Sequence, residues 1–200
     1  MLERLGEAGM GLLVLGLVLM LGVHSVGIVA PQWREAQRQR LGMGRWKILY
    51  SLASLIGLGL VIWGFSNARA EPVVLWTVPH GMNHLAVAVM LPVFILLAAS
   101  RPGTRIKAWT GHPMLLATAL WATVHLLANA TLADQVLFGS FLAWSGTLFL
   151  LSRQRDQSAG TTYPAAGWKA DIIAVVIGAV VWIVFLLRAH EWLIGVRPLG

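Results

Sequence analysis

The chain has 200 residues, of which 58% are hydrophobic and only 12% charged, with a mean hydropathy of +0.74. A water-facing surface needs roughly twice that share of charge, so a soluble enzyme is excluded. The apolar residues come in long runs without alternation, which predicts an integral membrane protein of the helical kind and argues against an outer-membrane barrel. Cysteine is absent, which excludes disulfides, thiolate metal sites and thiol catalysis. The net charge of +7 sits in short loops between the apolar runs. It therefore reads as an orientation signal for a lipid bilayer and not as a nucleic-acid surface.

Six apolar runs follow one another along the chain. The first, Met10–Ala30, is about twice as long as a signal-peptide core, and Pro31 follows the only plausible cleavage alanine; it reads as a span. A basic loop leads to the second run, Lys47–Phe65, and a solvated turn at Arg69–Glu71 precedes Pro72. The third run is His84–Ala99 and the fourth Pro113–Ala130. A few residues around "TLADQ" join the fourth to the fifth, Gln135–Leu151, as a hairpin. The segment "SRQRDQSAGTTYPAAG" is a polar linker to the sixth, Asp171–Ala189. The third and fifth runs are the short ones. The fold class is an all-α polytopic bundle of about six transmembrane helices, or five if one short run does not cross, in a single domain over residues 1–200.

Basic residues set the orientation. Arg34, Arg38, Arg40, Arg45, Lys47, Arg101, Arg105, Lys107, Arg153, Arg155 and Lys169 lie on one side, against Arg4, Arg69, Arg188 and Arg197 on the other. The positive-inside rule puts the richer side in the cytoplasm and both termini in the periplasm. Small residues at Gly11, Gly16, Gly22 and Gly27, and at Ser51, Ser54 and Gly57, suit close helix packing.

The chemistry rests on histidine. His24, His80, His84, His112, His125 and His190 are the six. With a rise of about 1.5 Å per residue, His125 lies about 20 Å beyond His112 along the fourth helix. His84, His125 and His190 then form an outer layer, and His24 and His112 an inner one. His80 and His190 also suit headgroup-level anchoring, as do most of the tryptophans. His112 and His125 face nearly opposite ways, being about 220° apart after full turns. Trp121, His125 and Asn129, at i, i+4 and i+8, share a face, and intramembrane polar groups usually face a bundle interior. Zinc would need three or four ligands, with only Glu191 and Asp134 as nearby carboxylates. Haem b needs one or two axial histidines and an apolar slot, and is the more economical cofactor.

The stretches "GVHS" (22–25), "GRWKILYSLASLIGLGLVIWGFSNAR" (44–69), "HPMLLATALWATVHLLANATLADQVLFGSFLAW" (112–144) and "HEWLIGVRPL" (190–199) resemble the NnrU family. The resemblance implies a small bacterial inner-membrane protein linked to nitric oxide and nitrite respiration. The family is similar to 15-cis-zeta-carotene isomerase, a membrane haem b enzyme. That similarity implies iron ligation by His125 and His24 and a functional role for the His112–Pro113 motif. The isomerase uses a redox-active cysteine near its haem histidine; the matching position here is Ala122, so thiolate ligand exchange is excluded. By depth alone, His84 pairs with His125 better than His24 does.

Three readings follow. The first is a haem-b protein of denitrification with redox or isomerase-like chemistry. The second is a non-catalytic membrane factor that matures or regulates nitrite and nitric oxide reductases, whose components would be its partners. The third is a methyltransferase-like protein, from "GHPM" beside Arg105 and Lys107.

Overall fold

A computed structural model describes residues 2–199, with side chains from residue 6 onward. In chain order the elements are α1 (Leu2–Val29), α2 (Pro31–Ala68), α3 (Met82–Ala98), α4 (Arg105–Thr110), α5 (Pro113–Ala128), α6 (Leu132–Ala159), α7 (Trp168–Val184), a π turn (Phe185–Ala189) and α8 (His190–Ile194). Among the described residues there are no strands, only isolated bridges at Val74–Thr131 and Gly103–Ala165.

Four helices are long and apolar enough to cross a membrane: Gly6–Val29, Pro31–Ala68, Leu132–Ala159 and the continuous Trp168–Ile194. α3 and α5 are shorter apolar helices of 17 and 16 residues. At about 1.5 Å per residue each reaches about 25 Å, at or just under the lower end of ordinary spans. All six apolar runs are thus helical, but the short pair is the third and fourth, not the third and fifth. The fifth is long because helix continues through Ser152–Ala159, half of the stretch expected to be a linker.

The basic loop after α1 also proves helical. Pro31 occupies the first turn of α2, where its missing N–H is no loss. Arg, Gln, Glu and Ala propagate the helix, and Arg38 pairs with Glu35 at 2.8 Å. The break comes at Gly42, with φ 76° and ψ 156°, a backbone state in which glycine avoids the strain of a Cβ.

Chain contacts divide into two compact units. One runs to Trp76 and takes in Ala130–Ser140; the other holds Thr77–Asn129 and the chain from Phe141 on. In the first, α1 and α2 pack antiparallel through glycine. A Cβ at Gly64 would lie 2.2 Å from the Leu13 nitrogen, at Gly16 2.6 Å from that of Val61, at Gly9 2.7 Å from that of Ala68, and at Gly57 2.9 Å from Met20. Each helix therefore contributes glycines seven residues apart, and backbones meet where side chains would hold them apart. Of the expected small residues, Gly16 and Gly57 serve this contact, whereas Gly11 and Gly22 face open space. Leu13, Leu17, Met20 and Val61 are buried around the seam. The same unit ties Leu75 N to Ala130 O and Leu132 N to Val73 O, both at 2.8 Å.

In the second unit α3 packs on α5 and α7. A Cβ at Gly178 would stand 2.6 Å from the Ile95 Cα, and the Trp182 indole donates to Val87 O at 2.8 Å. Asp171, in the first turn of α7, accepts from the Arg105 and Ile106 amides at 2.8 and 3.3 Å. It satisfies donors that the start of α4 would otherwise leave open. Large apolar side chains such as Leu15, Val18, Leu55, Ile62 and Ile173 are exposed, as a lipid-facing surface requires.

Candidate functional site

In the second unit, α5 carries His125. Its Nδ1 lies 2.8 Å from the carbonyl oxygen of Trp121, one turn earlier. A carbonyl only accepts, so Nδ1–H donates. The neutral ring then carries its lone pair on Nε2, and this is how histidine ligands are commonly fixed for a metal. The Trp121 indole packs 5.4 Å from the imidazole, Phe141 meets Trp121 edge-on at 5.2 Å, and Trp144 meets Phe141 at 6.5 Å. Asn129 donates to the His125 carbonyl at 2.8 Å and ends α5 with extended backbone. Trp121, His125 and Asn129 thus lie along one face, as their spacing indicates. Ala122 and Val124 are buried, Ala122 completely, so position 122 belongs to the packing face.

In the first unit, α1 carries His24 in the same arrangement. Its Nδ1 donates to Met20 O at 2.7 Å, which again places the lone pair on Nε2. Tyr50 of α2 stands edge-on to the imidazole at 5.6 Å, and Trp46 and Trp33 continue the aromatic row at 6.4 and 6.0 Å. Ser25 returns its hydroxyl to Leu21 O at 2.7 Å. The donor chemistry of both histidines suits iron. In each, Nδ1 is engaged by the carbonyl one turn back and an aromatic ring stands beside the imidazole; His125 is half-buried and His24 exposed.

His112 has the opposite arrangement. It precedes α5, and its Nε2 lies 2.8 Å from Asp156 Oδ2, with side chains 16% and 13% exposed. Tyr163 donates its hydroxyl to the same oxygen at 2.5 Å and meets the imidazole edge-on at 5.8 Å. Lys107 lies 5.5 Å from the Tyr163 ring and reaches Ser100 O at 3.2 Å. Arg155 approaches the other carboxylate oxygen at 3.5 Å. Burial raises the Tyr163 pKa first, and the hydrogen bond to Asp156 and its negative charge raise it further. Asp156 and Tyr163 escape sequence reading. They lie in the polar stretch, and Asp156 meets a residue 44 positions away. Its one sequence signal is a lone carboxylate among Arg and Gln.

Among the described residues no three His, Cys, Asp or Glu side chains gather to hold a metal ion. His84 is exposed in the first turn of α3. His190 turns its Nδ1 to Val196 O at 2.7 Å, a local closure of the chain after α8. The two carboxylates weighed for zinc are engaged in local contacts: Glu191 with Arg197 at 2.8 Å, and Asp134 with the Thr131 hydroxyl at 2.6 Å. Asp134 N in turn approaches Thr131 Oγ1 at 3.3 Å, giving a reciprocal capping pair at the head of α6.

The family model described as NnrU protein matches residues 12–198. No curated protein and no solved structure matches the chain.

Proposed function

The chain belongs to the NnrU family, and from that premise we propose that it is a multi-pass protein of the bacterial inner membrane that binds haem b and serves nitric oxide and nitrite respiration. In this reading all six apolar helices cross, α3 and α5 included, and both termini are periplasmic. The observation that supports the haem reading is the shared Nδ1–H to carbonyl bond of His125 and His24, an arrangement in which Nε2 would be the ligating atom of each ring.

The bound haem would supply one-electron chemistry. The chain's own residues hold and orient the imidazoles. The i−4 carbonyl bond fixes the tautomer and makes the ring a stronger electron donor. Trp121 restricts the His125 ring by packing against it, and Tyr50 does the same for His24. Ala122 offers no thiolate, so ligand exchange of the kind inferred for the isomerase is outside this chain's chemistry.

An absorbance spectrum of protein purified from haem-replete cells, beside that of His125→Ala, tests the reading. A Soret band in the wild type that is lost or strongly reduced in the variant is expected. A wild type without the band favours a non-catalytic maturation factor for the reductases. A variant with the full band removes His125 as a ligand.

A further inference from the structure

A groove of about 200 Å³ runs between the end of α3 and the start of α7. Ala98, Ala170, Ile173, Ala174 and Ile177 make its apolar wall, and Arg101 stands at its polar end. Arg105 and Lys169 flank it in sequence, next to lining residues Thr104 and Ala170. None of these three cations has an ion-pair partner among the described residues. The carboxylate of this region, Asp171, accepts from the Arg105 and Ile106 amides. Arg101, Arg105 and Lys169 outnumber Asp171 here, so the groove's polar end carries a net positive charge.

That end is also held in place. Thr104, 3% exposed, donates to Ala99 O at 2.9 Å, and Ala166 N donates to Gly103 O at 2.8 Å. The turn bearing Arg101 is thus fixed on both sides. Trp168 and Trp109 expose 58% and 86% of their surface, the pattern of indoles at headgroup level. An apolar trough of this size, ending in an excess of cations with Lys169 next to Trp168, suits a segment of one acyl chain with an anionic headgroup at its end.

We propose that this groove binds one anionic glycerophospholipid of the surrounding bilayer, an acyl chain lying on Ala170, Ala174 and Ile177 and the phosphate on Arg101. Arg105 and Lys169 add positive potential for the headgroup. The site is separate from both histidine clusters and does not depend on haem.

Native mass spectrometry of the full chain in detergent, equilibrated with equal amounts of phosphatidylglycerol and phosphatidylcholine of the same acyl chains, tests this. One retained phosphatidylglycerol is expected, in preference to phosphatidylcholine. Arg101→Gln should reduce that retention about five-fold, as loss of one interfacial cation implies. Ala170→Trp, which fills the trough, should remove adducts of both lipids. Arg153→Gln, a cation elsewhere, should leave retention unchanged. Equal retention of the two lipids by the wild type overturns the proposal without recourse to any variant. So does an Arg153→Gln loss equal to that of Arg101→Gln, or an Arg101→Gln protein that keeps the full preference. Thermal unfolding of each variant in the same detergent separates lipid loss from misfolding.

Discussion

Two histidines on different helices fix their rings in the same way, by donating Nδ1–H to the carbonyl one turn back. A third, His112, faces a carboxylate through Nε2. The same side chain is thus prepared for different work by its nearest acceptor. The shared face of Trp121, His125 and Asn129 is legible in the sequence because helical spacing is local. The partnership of His112 with Asp156 and Tyr163 is not, because it depends on where a polar chain segment returns after a whole helix. That cluster yields a pH prediction. Tyr163 is raised above the ordinary phenol value near 10, so the folded state favours its neutral form. The resulting stability is full below that value and is lost as pH rises past it. In a Tyr50→Phe background, the phenolate absorbance should appear only above the ordinary range. Asp156→Asn should bring it down, since the neighbouring negative charge is gone. An unshifted titration, identical in both proteins, would refute the assignment.

At the scale of the helix, apolar run length located all six apolar helices, but not their ends. Ser152–Ala159 and Pro31–Leu41 are too polar to signal a span, yet they continue as helix because nothing in them stops it until Gly42 or Gly160. Glycine positions illustrate the same limit. Gly16 and Gly57 were legible as packing residues, but small-residue patterns could not separate them from Gly11 and Gly22, where an added Cβ would meet open space. Gly9 and Gly64 become evident only once α2 lies against α1. Gly64→Ala would place a methyl 2.2 Å from the Leu13 nitrogen and should destabilise the hairpin by about 1–3 kcal/mol. Gly22→Ala meets open space and should leave stability unchanged or slightly improved. Thermal unfolding of both in one detergent checks the contrast, and equal effects would contradict the glycine seam.

For the whole molecule, the distribution of arginine and lysine predicts orientation, and the lack of cysteine makes that testable with single introduced thiols. Ser158→Cys should be protected from a membrane-impermeant maleimide in intact cells, and His80→Cys should be labelled; the reverse pattern would invert the topology. The central claim concerns His125 and His24 as iron ligands, and it rests on imidazole donor chemistry argued separately for each helix. Electron paramagnetic resonance of the purified ferric protein examines it most directly. The expected result is a haem-iron signal that changes, or disappears with the haem, in His125→Ala and in His24→Ala, while His84→Ala leaves it intact. A wild-type signal that neither substitution changes, or one that only His84→Ala changes, would contradict it.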